Sequence, residues 1–368
     1  MSDIAASPTG PAEIADDHTR SVGEDFPQRV RRELWDFLAA RDREITQQSA
    51  QVCEWVEHAW QFLQRGKCLR PRFTYLGWLT RAEDSGAALR AAASFELLHA
   101  FALIQDDVMD ESQMRRGQPT VHRALSASHG DPALSRRQRF GESAATLLAD
   151  LCLVWAAQML RTCGLPTSAL NRAFPYYDEM RQELAVGQYL DLRTTKRTDP
   201  SSAEAFQIAR MKSARYTVTG PLVVGASLAG AEPAVRRCLT DYGDAIGEAF
   251  QMRDDLLGLF GDPAVTGKPA DGDLGHGTVT TTVALALERA DATQRQALHR
   301  LVDEPSADSE HVARLRELVL DTGAAAALEA KIAERVELGT HALHGIAIPE
   351  SSRTELTAMA RACATRSQ

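Results

Sequence analysis

The chain has 368 residues, a net charge of -9, 44% hydrophobic residues and 25% charged residues. That length is ample for a sizeable core, and the composition is ordinary for a globular protein. The acidic balance argues against nucleic acid as a partner, because the sequence offers no basic face large enough to track phosphates.

In chain order, residues 1–22 are rich in Ser, Pro, Gly, Ala and Asp and are expected to form a disordered tail. The segment has no apolar run of the kind found in signal or transit peptides. No apolar run downstream reaches membrane-spanning length without a charge or a breaker, so the expectation is a cytoplasmic protein with no transmembrane segment. The cysteines, Cys53, Cys68, Cys152, Cys163, Cys238 and Cys363, form no CxxC pair and read as reduced thiols.

From residue 23 the pattern is helical. RRELWDFLAARDREI and QVCEWVEHAWQFLQRG carry apolar residues at three- and four-residue spacing. The same period predicts helices over 87–109, 143–163, 169–192, 203–216, 235–260, 278–290, 310–321, 324–346 and 351–365. Breakers fall between them at Gly66 and Pro71, Gly164 and Pro166, Pro200, Pro233, Pro263 and Pro305. Polar loops are predicted at 126–140, 193–203, 261–277 and 303–309. The Val-rich stretch TVTGPLVVGASLAG reads as buried helix because of its Ala, Leu and Gly content. There is no alternating strand series, so the predicted architecture is an all-α fold, a large single-domain helical bundle over 23–368.

Two acidic patches interrupt this pattern. In ALIQDDVMDESQMRRG, Asp106 and Asp110 are four residues apart and share one helix face, while Asp107 points about 100° away. A solvated acidic face is the ordinary reading of such a patch. Here it directly follows the apolar run FELLHAFALI, which should be core, so the carboxylates need a counter-charge. Two carboxylates one turn apart suit Mg²⁺, which takes few protein oxygens and keeps waters and phosphates. RRGQPTVH follows, with Arg115, Arg116 and His122, and adjacent arginines suit bidentate contact with phosphate. FQMRDDLLGLFGD repeats the opening of the acidic pattern at Asp254 and Asp255. Lys268 follows in a Gly/Pro loop, where it reads either as a phosphate contact or as a solvated lysine.

These segments in this order resemble the trans (E-type) isoprenyl diphosphate synthases of the polyprenyl synthetase family, over nearly the whole chain from about residue 26. RGKCLRPRFTYLGW is similar to the family's GGKRLRP segment, ELLHAFALIQDDVMDESQMRRGQPTVH to its first Asp-rich motif, and VGQYLDL, ARMKSA and FQMRDDLLGLFGDPAVTGKPADGDL follow in register. The resemblance implies the isoprenoid synthase fold, a bundle around a central cavity faced by both Asp-rich motifs. It implies condensation of isopentenyl diphosphate with an allylic diphosphate, with release of pyrophosphate, three Mg²⁺ ions and a homodimer.

Residue by residue, the resemblance makes Asp106, Asp110 and Asp254 metal ligands, with Asp107 and Asp255 supporting them from behind. Arg115, Lys212 and Lys268 correspond to contacts with the allylic diphosphate, and Lys67, Arg70, His99 and Arg116 to the isopentenyl diphosphate site. Gln251 and Ser213 fall where the family lines the carbocation, and Gln188 and Asp191 where it supports the cavity wall. The sequence departs from the family pattern at Arg65, Cys68, Ala149, Gly258 and Thr278. Thr278 stands where the family places a lysine near the allylic diphosphate.

Product length in this family follows the bulk at the cavity floor. Phe101 and Ala102, five and four residues before Asp106, resemble the pattern of geranylgeranyl diphosphate synthases. A farnesyl diphosphate synthase, a terpene cyclase or irregular coupling enzyme on the same fold, and a non-catalytic partner subunit are the alternatives. Retention of Lys67, Arg70, His99 and Arg116 argues against a cyclase, and retention of Asp106, Asp110 and Asp254 against a non-catalytic subunit.

Overall fold

A computed structural model describes residues 22–23, 25–49, 52–64, 66–194, 201–261, 279–303 and 309–365. The expected tail lies outside the described residues except for Val22, which is buried against the core and so belongs to the bundle. Helix α1 (Phe26–Gln48) starts with Pro27 in its first turn and buries Phe26, Val30, Leu34 and Leu38 at four-residue spacing. Helices α2 (Cys53–Leu63) and α3 (Leu69–Leu79) follow. Ser85 caps α4 (Gly86–Met109) by accepting from the backbone N–H of Ala88. Helix α4 is buried on almost every side, which is why it shows no polar stripe. Each fully buried leucine, such as Leu97 and Leu98, contributes about 2 kcal/mol of apolar burial.

A two-residue antiparallel ladder, β1 (Met114–Arg115) with β2 (Gln118–Pro119), turns the chain into α5 (Val121–Ser128) and α6 (Leu134–Arg161). The loop predicted over 126–140 is therefore too long. Helix α6 begins before its apolar period does, because its first turns, LSRRQRF, are polar and solvent-facing. Helix α7 (Thr167–Thr194) then packs on the segment that follows α8 (Ser202–Ala209).

That segment, Arg210–Thr219, is a π-helix running directly into α9 (Gly220–Leu228). The predicted helix over 203–216 is thus part of a longer rod with a wide middle. Helical periodicity does not reveal such a widening, and π geometry often marks function. TVTGPLVVGASLAG is helical and buried, as predicted. Gly77 of α3 and Gly225 of α9 each lie against the other helix's backbone, so the two helices approach more closely than a Cβ would permit.

Helix α10 (Pro233–Phe260) runs along the π segment. The remaining helices, α11 (Thr281–Arg289), α12 (Ala292–Asp303), α13 (Ser309–Asp321), α14 (Ala324–Ala342) and α15 (Glu350–Thr365), close the bundle. The larger core cluster draws on α1–α7, the π segment, α9, α10 and α15, and a smaller one joins the end of α10 to α11–α15. By length and composition α4 and α6 are each apolar enough to cross a membrane, although a charge interrupts each apolar run, Glu96 in α4 and Asp150 in α6. They pack against each other within the bundle, and core burial accounts for their apolar character.

Candidate active site

DDVMD forms the last turn of α4, with Asp110 as its C-terminal cap. Carboxylates at a helix C-terminus oppose the helix dipole, so this end requires cations. Arg115 supplies one by folding back from β1. Its Nε and Nη2 donate to Asp107 Oδ1 at 2.8 and 2.5 Å, and Nη2 lies 3.3 Å from Asp106 Oδ2. The other oxygen of Asp107 is buried without a hydrogen-bond partner. Burial pushes the Asp107 carboxyl up, and Arg115 opposes that shift.

Asp106 receives a second cation from the π segment. Lys212 Nζ lies 3.0 Å from Asp106 Oδ1 and 2.7 Å from Asp191 Oδ2, and Gln188 Nε2 donates to Asp106 Oδ1 at 3.2 Å. Burial alone would raise the Asp106 carboxyl. Lys212, Arg115 and the Gln188 hydrogen bond outweigh it and hold the group below the usual range. Burial would likewise lower the Lys212 ammonium, but Asp106, Asp191 and Asp110 raise it above the ordinary lysine value. Both groups stay charged at neutral pH. Gln188 and Asp191, expected to support the wall, touch the charged residues themselves.

Gly187 makes this arrangement possible. A Cβ at that position would come within 2.5 Å of the backbone nitrogen and 2.8 Å of the Cα of Lys212. Its absence lets α7 lie against the π segment where Lys212 leaves it. Ser213 is half-buried beside Lys212. Behind this face, Arg210 and Arg215 bond Asp244 of α10 at 2.6 and 3.1 Å, and Arg215 also pairs with Glu183 of α7.

A second basic cluster gathers Arg70, Arg116 and Lys67. Arg70 Nη2 donates to Thr217 Oγ1 at 2.8 Å, and its guanidinium stacks over the Tyr216 ring at 4.4 Å, while its Nε is buried without a partner. Arg116 sits over Phe62 at 5.7 Å, and both Arg116 and Cys68 hold left-handed backbone, at φ 52° and 51°. Such conformations are uncommon outside glycine and gather at functional sites. Burial raises the Cys68 thiol to about 12, so it is an inert neighbour. Lys67, between α2 and α3, is exposed. His99 lies between the clusters. Burial, then the charges of Arg70, Arg116 and Arg115, hold its imidazole well below its ordinary value, so it is neutral.

The second acidic motif lies near the end of α10. Asp255 is buried and accepts from Gln251 Nε2 at 2.8 Å, from the Thr281 backbone at 3.0 Å and from the Thr281 hydroxyl. Burial raises its carboxyl to about 6, against those hydrogen bonds and with help from Asp254. Asp254 is half-buried, and its charge reaches Arg70. Between Met252 and Asp254, Arg253 donates to Ala364 O at 2.6 Å and pairs with both oxygens of Glu329 at 2.7 and 2.5 Å, tying the motif to α14 and α15.

The donor set fits Mg²⁺. It consists of carboxylates, Asp106 is held ionised, and Asp107 keeps an unpartnered oxygen. Among the described residues no three His, Cys, Asp or Glu side chains cluster tightly enough to hold an ion alone. That suits a cation that takes one or two carboxylates and completes its shell with water and phosphate. Phe101 and Ala102 are half-buried on α4 and pack against the main core. Lys268, Thr278 and Arg65 lie outside the described residues, as does the 262–278 segment between the second motif and α11. Sequence reading missed Glu96, Tyr216, Thr217 and Thr281 at the site. Only Glu96 carried a signal, as a lone acid within FELLHAFALI.

The sequence profile of the family described as polyprenyl synthetase matches residues 53–319. The chain is 33% identical over 298 residues to a (2E,6E)-farnesyl diphosphate synthase of Mycobacterium tuberculosis, covering 80% of this chain and 78% of that one. It is 31% identical over 301 residues to a geranylfarnesyl diphosphate synthase of Aeropyrum pernix, covering 79% and 87%. In three dimensions it is similar to a geranylgeranyl pyrophosphate synthase of Corynebacterium glutamicum crystallised with isoprenyl diphosphate and magnesium. That match has a TM-score of 0.89 and 39% identity, and covers 93% of this chain and 99% of that one. With the paired carboxylates and cations at one end of α4, these likenesses place the chain in the polyprenyl synthetase family, as a prenyltransferase of the isoprenyl diphosphate synthase type.

Proposed function

We propose that the protein joins isopentenyl diphosphate to an allylic diphosphate and carries the chain to the twenty-carbon geranylgeranyl diphosphate. The observation that carries this reading is the pair of basic clusters linked by His99. Lys212 and Arg115 stand at Asp106, and Arg70 and Arg116 form the second group, whose charges reach His99 together with that of Arg115. Two anionic head groups need two such places.

In this reading Asp106, Asp110 and Asp254 would hold the Mg²⁺ ions, three in number, together with the allylic diphosphate. The bound metal would supply charge stabilisation to the departing pyrophosphate. Lys212, Arg115 and Lys268 add cationic donors aimed where negative charge develops as the allylic C–O bond breaks. Arg70, Arg116, Lys67 and neutral His99 orient isopentenyl diphosphate so that its double bond attacks the allylic carbon. Gln251, fixed by Asp255, and Ser213 offer dipoles to the cation, while the apolar face of α4 excludes water. The proton then leaves to the released pyrophosphate.

The relatives make products of different lengths, so length is assigned from this chain's own residues. Phe101, one turn and more deeper on α4 than Asp106, is the proposed floor. Product analysis with dimethylallyl, geranyl or farnesyl diphosphate, with and without isopentenyl diphosphate, tests both parts. A twenty-carbon product that lengthens in Phe101→Ala supports the reading. A farnesyl end product corrects the length, and a hydrocarbon formed without isopentenyl diphosphate would replace the reading with a cyclase. The proposal includes a homodimer located in the cytoplasm. The homodimer is supported by an exposed apolar stripe on α6, with Leu147 60% and Val154 57% exposed.

A further inference from the structure

Glu96 is 6% exposed and lies on α4 three residues before His99, inside a run that is otherwise apolar. A buried carboxylate without a counter-charge is costly, and it persists where cations converge on it. Three guanidiniums do so here. Burial pushes the Glu96 carboxyl up, and Arg70, Arg116 and Arg31 oppose that shift in this order.

The packing is close. A Cβ on Gly66 would come within 3.1 Å of Glu96 Oε2 and 3.8 and 3.9 Å of the two Arg116 Nη atoms, so the carboxylate, the Arg116 guanidinium and the Gly66 backbone share one small space. Arg31 reaches the same place from α1, donating to Gly66 O at 3.1 Å. Gly66 itself has φ 152°, a conformation that, with the crowding, favours glycine. Arg70 comes from α3 and is steadied on its far side by Thr217 and Tyr216. Three basic residues from three parts of the chain therefore gather around a single anion.

We propose that Glu96 is the positioning residue that assembles Arg70, Arg116 and Arg31 into the array that binds the isopentenyl diphosphate head group. This rests on the reading of Arg70 and Arg116 as that head-group site. Without a central anion the three guanidiniums repel one another and each can turn away, so the array exists before substrate arrives because Glu96 holds it. Glu96 touches no reacting atom; it acts through the arginines.

The sign of one measurement separates positioning from plain charge. If Glu96 only offset positive charge, Glu96→Gln would strengthen the field and lower KM for isopentenyl diphosphate. If it positions the array, the same change raises that KM. Steady-state rates of the full chain with Mg²⁺, varying each substrate against saturating amounts of the other, provide the test. Removing the central charge is expected to raise KM for isopentenyl diphosphate about tenfold in Glu96→Gln. The allylic KM should stay within about twofold and kcat within about threefold. Glu96→Asp, which keeps the charge and shortens the reach, should give a smaller rise and serves as the readout if the glutamine variant does not fold by circular dichroism. An unchanged or lowered isopentenyl KM in the folded variant overturns the proposal, as does a loss confined to kcat. Arg116→Gln run in parallel distinguishes the two levels. If it raises the isopentenyl KM while Glu96→Gln does not, only the role of Glu96 falls; if it does not, the head-group reading falls as well.

Discussion

Lys212 Nζ stands 3.0 Å from Asp106 Oδ1, so the π segment and the end of α4 meet through an ion pair before any ligand is bound. The pair keeps Asp106 ionised and keeps its counter-cation at the point where a diphosphate would bring more negative charge. Lys212→Met removes the cation but keeps most of the side-chain volume. The loss of one preorganised donor is expected to lower kcat/KM by about 10²–10³. The acid limb of the pH–rate profile should also move up, because Asp106 loses the main charge that holds its carboxyl low. A profile superimposable on the parent would show that Arg115 alone sets the state of Asp106.

Gly187 tests the same contact from the other side. Gly187→Ala places a Cβ against the Lys212 backbone, so α7 and the π segment must move apart. Overpacking of this kind is expected to destabilise the fold by about 1–3 kcal/mol. Activity should fall further than stability does, because Lys212 and Gln188 move with their helices. Gly86→Ala is the control. A Cβ at the first residue of α4 meets nothing within 4 Å, so both stability and rate should stay near the parent values. Thermal melts and kcat/KM for the two variants decide the matter.

Much of this was legible in the sequence because it lies in periodicity and in acidic or basic residues interrupting apolar runs. FELLHAFALIQDDVMD announced a buried helix ending in carboxylates, and Asp106 and Asp107 do lie in its last turn, with Asp110 as its cap. The π segment was not legible. ARMKSARYTVT keeps a helical pattern whether its hydrogen bonds span four or five residues, and the wider turn depends on packing against α7 and α10. The left-handed backbone at Cys68 and Arg116 was equally hidden, since neither residue type favours it. Thr281 escaped notice because its partner Asp255 is 26 residues away, and only the folded chain brings them together.

Asp255 holds Gln251 with one oxygen and Thr281 with the other. Thr281→Val deletes the hydroxyl and keeps both the shape and the backbone donor. Losing a hydrogen bond to a buried carboxylate is expected to destabilise the fold by about 1–3 kcal/mol. The Asp255 carboxyl, already raised to about 6, should rise further. A raised carboxyl contributes stability that is full below the unfolded value and is lost as pH rises through the folded value. The variant's deficit should therefore be small at pH 4 and grow towards pH 7. Denaturation midpoints across that range give the answer, and a deficit independent of pH would sink the assignment.

The α6 stripe bears on assembly. Leu147 and Val154 are seven residues apart on one helix face and are largely exposed. If that face joins two copies, Leu147→Glu is expected to shift the mass measured by light scattering from dimer to monomer at micromolar concentration, while the helical content is retained. A parent protein that is already monomeric would remove the stripe's role as a self-interface.

His122 gives the sharpest pH test away from the site's carboxylates. It is 5% exposed on α5, and its Nδ1 is buried without a hydrogen-bond partner. Burial, helped by Arg123 and opposed by Glu111, lowers its imidazole to about 4. The folded protein therefore keeps His122 neutral while the unfolded chain takes up a proton near the ordinary value of 6.5. A depressed folded value means stability is full above 6.5 and is lost as pH falls towards 4. Between pH 7 and pH 5 the loss from this group alone is on the order of 1–2 kcal/mol. His122→Gln cannot titrate, so its unfolding midpoint should decline less than the parent's over the same interval, whatever the two midpoints are at pH 7. Parallel declines would mean that the imidazole opens to solvent and protonates in the folded state, and that burial in α5 does not control it.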